Sequence, residues 1–269
     1  MIQAYYSNST GQTIDRLRTE LGQGILLFGP EGIGLGFTAD AIARAHTRDV
    51  VTIKPDLKGT IGIESIRELY TLGRSKAGNI IFIIDDADAM GREAQNALLK
   101  LLEEPVPSIR FILTSHYPDR LLPTIRSRIS LYQLTPISST QSIELLNELN
   151  VTDTTTRAQL IFIAEGLPAA ISLYVNEPAR FIARSLTVRD ARSFLQGSKE
   201  ARLLLSSGYK EREQAIGLIR DMQKLLRRAI EADPKAGSAE SLDLLLETES
   251  ALMENASVRL SLTSLALSL

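Results

Sequence analysis

Gly24-Ile25-Leu26-Leu27-Phe28-Gly29-Pro30-Glu31-Gly32-Ile33-Gly34-Leu35-Gly36-Phe37 decides how the chain is read. An apolar run enters a glycine-rich turn, and a helical pattern follows. Strand, loop and helix in that order build a phosphate-binding loop, whose backbone N–H groups face an anion at the helix start. The two positions after Gly34 depart from the motif. Leu35 stands where a lysine reaches the terminal phosphates, and Gly36 stands where a hydroxyl holds magnesium. The frame of a nucleotide site is written here without the groups that grip the nucleotide.

Outward from this loop, short apolar runs alternate with helical patterns. Strands are expected at Gly24–Phe28, Val50–Lys54, Asn79–Asp85, Ile109–Ser115 and Ile129–Leu134. Helices are expected at Leu35–His46, Ile63–Gly73, Gly91–Glu104 and Asp119–Ile125, with Pro105 stopping the third. The run Ile80–Ile84 is apolar throughout, as a strand buried on both faces is. Such alternation predicts a doubly wound, five-stranded parallel sheet covered on both sides, over residues 1–135. Beyond Pro136 the strands cease. Short helices at Thr140–Leu149, Thr155–Glu165 and Pro168–Val175 predict a small helical domain over 136–184. Longer helical patterns predict a helical domain over 185–269. The clearest is Glu211–Glu231, with Ile216, Ile219, Met222, Leu226 and Ile230 as a buried stripe.

Composition narrows the classes. In 269 residues 44% are hydrophobic, enough for a real core, and the net charge of −2 excludes a generally basic surface. There is no cysteine, hence no disulfide framework and no cysteine zinc site. His46 and His116 lack ligand-like companions, so no metal site is expected. Met1–Thr10 has no apolar signal core and no stretch is long enough to span a bilayer, so a cytoplasmic protein is expected.

The strand end Ile83-Ile84-Asp85-Asp86-Ala87-Asp88 is the second chemical element. A carboxylate at the tip of a buried strand beside a phosphate loop is where an NTPase places its magnesium ligand. Asp85 occupies that place. Asp86 follows where glutamate often polarises the attacking water, and is one methylene shorter. A turn or capping cluster reads equally well from these residues alone. Thr114 and Ser115 end the fourth expected strand with hydroxyls, a common strand-end choice. Ser127-Arg128 reads either as a surface arginine before an edge strand or as a cation offered to phosphate.

The segment Gly29–Arg128 resembles the AAA+ module of bacterial clamp loaders, the assemblies of DNA polymerase III. The resemblance is carried by Ile61–Arg67, by Ile83–Asp88, by Ala94-Gln95-Asn96-Ala97-Leu98-Leu99-Lys100-Leu101-Leu102-Glu103-Glu104-Pro105, and by Leu121–Arg128. It implies an AAA+ sheet domain, a helical lid and a helical collar that joins subunits. It further implies that Gly29, Gly32, Gly34, Leu35, Gly36, Asp85, Asp86 and Thr114 are a vestigial nucleotide site. Arg128, with Ser127, would act in trans on ATP bound by a neighbour. The family's motif is Ser-Arg-Cys; here Ile129 replaces the cysteine. Gly166–Ala170 resembles the lid's sensor segment, with Ala169 or a neighbour where ATP-using members carry arginine. Two cations are thus missing. At about 1.5–3 kcal/mol per hydrogen bond to a charged group, their loss lowers affinity by several orders of magnitude.

The function implied is that of a non-hydrolysing clamp-loader subunit that helps place a sliding clamp on primed DNA. It holds no cofactor tightly; ATP and magnesium stay with partner subunits. Its partners are the other clamp-loader subunits, the clamp and, through the complex, DNA. Lys58, Arg67, Arg74, Lys76 and Arg92 are candidate DNA contacts or plain surface charges. The rivals are an active AAA+ ATPase and a small-molecule kinase, both of which need the missing lysine, and a scaffold that keeps the AAA+ fold for protein contacts.

Overall fold

A computed structural model describes residues 5–75, 79–104, 107–233 and 239–269. Its contacts divide the chain into two compact units, Met1–Asn176 and Glu177–Leu269.

The first unit opens with α1 (Asn8–Thr19), in a stretch where the sequence reading placed no element. The Ser7 hydroxyl caps it by accepting from the Thr10 N–H at 3.3 Å, and Ile14 and Leu17 bury one side. With so few apolar residues its periodicity is faint. Then follow β1 (Gly24–Phe28), α2 (Leu35–His46), β2 (Val50–Ile53), α3 (Ile63–Ser75), β3 (Ile80–Ile84), α4 (Arg92–Glu103) and β4 (Ile109–Ser115). The helix expected at Asp119–Ile125 is instead a 3-10 turn, Pro118–Arg120, and a four-residue helix, α5 (Pro123–Arg126). Pro123 cannot continue a helix from Leu121 and starts a new one. β5 (Ser130–Gln133) completes the sheet. Pro105 lies outside the described residues; α4 ends before it.

All strand pairs are parallel, in the order β2-β3-β4-β1-β5. The alternation of side chains across a strand explains the layers. Ile80, Phe82 and Ile84 of β3 enter one core with Phe111, with Ile66 and Leu69 of α3, and with Ala94, Leu98 and Leu102 of α4. Ile81 and Ile83 enter the opposite core with Leu27 of β1, with Ile14 and Leu17 of α1, and with Leu35, Ala39 and Ile42 of α2. Burying each of these leucine, isoleucine and phenylalanine side chains contributes roughly 1.5–3 kcal/mol, so a sheet covered on both faces is strongly favoured. Chain connections leave β1 toward β2 and leave β4 toward β5, on opposite sides. The carboxyl ends of adjacent β1 and β4 therefore flank a switch point, where open α/β sheets bind ligands.

The unit closes with α6 (Ser139–Glu148), α7 (Thr154–Ala164) and α8 (Pro168–Asn176). A full capping box of Ser138 and Gln141 starts α6.

The second unit contains α9 (Pro178–Gln196), α10 (Lys199–Gly208), α11 (Arg212–Ala232), α12 (Ala239–Met253) and α13 (Val258–Ser268). The boundary placed after residue 184 falls within α9. Ala191 and Phe194 of α9, Leu218, Ile219, Met222 and Leu226 of α11, Leu245 and Leu252 of α12, and Leu262 and Leu265 of α13 form its core. Ile216 and Ile230 are only partly buried at its edge. Asp221 lies within the buried stripe of α11, where Arg184 meets both its carboxylate oxygens. Pairing is what lets a charge sit there.

Candidate functional site

The loop after β1 turns sharply because Gly32 and Gly34 both take positive φ, +85° and +97°. Gly34 then caps α2. Leu35, the first helical residue, points inward and is 3% exposed, in the core shared with α1. Gly36 follows with the Asp85 carboxylate directly above it: a Cβ there would lie 3.0 Å from Asp85 Oδ2. Loop and strand end are thus in contact, as the switch-point topology requires.

The polar atoms at this end of the sheet satisfy one another. The Thr114 hydroxyl donates to Asp85 Oδ1 at 2.7 Å and accepts from the Asp86 N–H at 2.9 Å. The Ser115 hydroxyl donates to Asp88 Oδ1 at 2.6 Å. Lys54, just beyond β2, places Nζ 3.5 Å from Asp85 Oδ2. His116 Nδ1 lies 2.8 Å from the Gly29 carbonyl, so that nitrogen carries the proton and ties β4 to the loop. Its Nε2 is 3.9 Å from Asp86 Oδ1. Asp86 sits in the left-handed region at φ 51°. Burial, followed by the neighbouring Asp85 charge, raises its carboxyl above the ordinary aspartate range. Among the described residues no group of three or more histidines and acids could hold a metal ion.

The start of α8 sits on the glycine loop. Gly166 takes φ +75°, and a Cβ there would lie 2.3 Å from the Ile137 carbonyl oxygen. That turn directs Pro168-Ala169-Ala170 onto the loop. The Ala170 N–H donates to the Gly32 carbonyl at 3.0 Å, and a Cβ on Gly32 would lie 2.9 Å from Ala170 Cβ. Beside them Tyr5, Tyr6, Ile33, Phe37, Leu145 and Pro168 line a mostly apolar cavity of about 180 Å³.

Ser127 and Arg128 are held elsewhere. Ser127 closes α5, its hydroxyl donating to the Thr124 carbonyl at 3.1 Å. Arg128 is exposed, with buried Ile125 and Ile129 fixing the backbone to either side. Its guanidinium contacts the Thr124 carbonyl at 3.0 Å and Glu103 Oε1 at 2.8 Å, neither of which belongs to the glycine loop.

Residues 38–138 match the family model described as "DNA polymerase III, delta subunit". DNA polymerase III subunit delta' of Pseudomonas aeruginosa is 27% identical over 257 residues, covering 85% of this chain and 69% of that protein. The subunit delta' of Escherichia coli is 32% identical over 134 residues, 48% of this chain and 40% of that one. Over this segment the chain is similar to clamp-loader subunits. A replication factor C small subunit of Methanococcus maripaludis is 27% identical over 155 residues, 53% of this chain and 49% of that protein. The chain therefore spans 69% of the Pseudomonas relative's length and half or less of the other two. A solved DNA polymerase III, gamma subunit-related protein of Thermotoga maritima has the same fold, with a TM-score of 0.55 at 17% identity, over 97% of this chain and 98% of that one.

The structure brings Gly29, Gly32, Gly34, Gly36, Asp85, Asp86 and Thr114 to one end of the sheet. Leu35 is on the same loop but faces the core, and Ser127 and Arg128 form a separate turn. Lys54 and His116 belong to the loop cluster, and neither was read from sequence as part of it. Lys54 is the residue after β2, the strand beside β3, but only the strand order reveals that adjacency. Arg67, a candidate DNA contact, pairs with Glu64 at 2.7 Å; Lys58 and Arg92 are exposed. Lys76 and the side chain of Arg74 lie outside the described residues. No helix among those described is long and apolar enough to cross a membrane.

Proposed function

We propose that this chain is a clamp-loader subunit of a DNA polymerase III holoenzyme that leaves ATP hydrolysis to its partners and supplies Arg128 to a neighbour's nucleotide. One observation carries this reading: Leu35 is folded into the core at the position where a nucleotide-gripping cation belongs. The surroundings agree with it. The Gly32 carbonyl is capped by Ala170, Asp85 covers Gly36, and the Thr114 hydroxyl is already occupied by Asp85 and Asp86. A triphosphate arriving here meets the Asp85 carboxylate with Lys54 as the cation beside it, and that lysine already faces the carboxylate.

Arg128 is exposed on a short turn between two buried isoleucines, a mounting that suits action on another molecule. A guanidinium neutralises charge on a transferring phosphoryl group and can do so from a second chain. On this reading the partners are the other clamp-loader subunits, with clamp and primed DNA engaged through the assembly, and ATP and magnesium are held by those partners.

The test is reconstitution with ATP-binding partner subunits, clamp and primed DNA. Arg128→Ala is expected to lower hydrolysis at the neighbouring site by roughly 10³-fold or more, the scale of an arginine finger. Unchanged hydrolysis by the complex removes the trans-acting role. Saturable binding of magnesium-ATP by the isolated chain removes the vestigial reading of the loop.

A further inference from the structure

Arg128 is held in its own chain by two contacts of different character. Nη1 donates to the Thr124 carbonyl at 3.0 Å, and Nη2 lies 2.8 Å from Glu103 Oε1. Glu103 is the last residue of α4, and α4 shares a core with the Arg128 turn through Leu102, Ile125 and Ile129. The approach of Glu103 to Arg128 is therefore set by packing. The two side chains are 38% and 48% exposed, so the pair lies at the surface and within reach of a docking partner.

A guanidinium has five N–H donors, and these contacts leave several for another acceptor. The Thr124 carbonyl is uncharged and can keep its bond while the arginine reaches outward. The Glu103 carboxylate cannot remain without cost. It neutralises the charge that a phosphate needs, and it repels the phosphate itself. We propose that Glu103 is a latch: it restrains and neutralises Arg128 in the unengaged subunit and is displaced by the neighbour's nucleotide when the interface forms. The inference rests on the trans-acting reading of Arg128 given above. An exposed ion pair contributes little, whereas a guanidinium on phosphate makes strong, commonly bidentate bonds, so the exchange runs downhill. Glu103 is thus a positioning residue that touches no nucleotide.

The test measures kcat/KM for ATP in the full complex, with partner subunits, clamp and primed DNA, for wild type, Glu103→Gln, Glu103→Asp, Arg128→Ala and the Glu103→Gln/Arg128→Ala double variant. Glu103→Gln is expected to raise kcat/KM roughly two- to fivefold, the range an exposed ion pair carries. The gain shrinks at high salt, and Glu103→Asp, which keeps the charge, stays near wild type. In the Arg128→Ala background Glu103→Gln adds nothing, because the partner it released is gone. A residue that only supports the fold gives neither that coupling nor the rescue by aspartate. If Arg128→Ala leaves hydrolysis intact, the trans-acting reading fails and the latch with it. If Arg128→Ala abolishes hydrolysis but Glu103→Gln is unchanged or slower, the latch is overturned and the finger stands.

Discussion

The glycine loop and the Arg128 turn belong to one unit, yet they use polar groups in opposite ways. Around the loop, the cluster partners itself. Thr114 serves Asp85 and Asp86, Ala170 serves Gly32, and His116 serves Gly29. At the turn a full positive charge is left at the surface, restrained by one exposed carboxylate and one carbonyl. The difference lies in what fills each place. Desolvated polar groups must find partners inside the chain, whereas an exposed cation keeps its capacity to bind elsewhere. The loop's polar groups are met from within the chain, and the turn carries an exposed arginine.

The strongest way to break this contrast is Arg128→Ala in the complex, with the loss of roughly three orders of magnitude already stated. Placing a lysine in the loop comes next. Leu35→Lys is expected to lose roughly 2–5 kcal/mol of stability, the range for deleting a buried leucine's packing, with the ammonium's desolvation added. No ATP binding is gained, because position 35 faces the core. Urea unfolding and an ATP titration of the variant check both halves, and tight ATP binding by Leu35→Lys breaks the comparison from the loop's side.

A smaller effect probes the seat of α8. Gly166→Ala forces a side chain into a positive-φ position against the Ile137 carbonyl, at an expected cost of about 1–3 kcal/mol. Hydrogen exchange at the Ala170 amide, measured in the same variant, reports whether its bond to Gly32 loosens as well.

The smallest concerns Asp86. Its folded carboxyl is held above the ordinary aspartate range, by burial first and then by Asp85. In the window between that range and the raised value, the folded state binds more protons than the unfolded chain. Stability contributed by this site therefore falls as pH rises through the window. Asp86→Asn is expected to give a slight gain in urea midpoint at neutral pH that disappears below the ordinary aspartate range. A gain that persists at low pH shows that the ionised carboxylate is not its cause.

Much of this was legible beforehand, for identifiable reasons. The isoleucines of β3 and the helical spacing of Ala94, Leu98 and Leu101 are strong periodic signals, and the sheet follows from them. Ser127-Arg128 and the glycine loop stood out as motifs. The faint elements were α1, which carries few apolar residues, and α5, where Pro123 breaks up what looks like one short helix. Lys54 and His116 were illegible because each meets its partner across strands that are distant in sequence.

Residue order alone therefore determined the strands, the main helices of the sheet and the leucine at position 35, because these depend on local periodicity and residue type. Tertiary structure decided that Leu35 fills the core, that Ala170 caps the loop and that Glu103 holds Arg128. Each of those is a meeting of side chains or backbone from separate elements, and only packing fixes which atoms come within a few ångströms of one another.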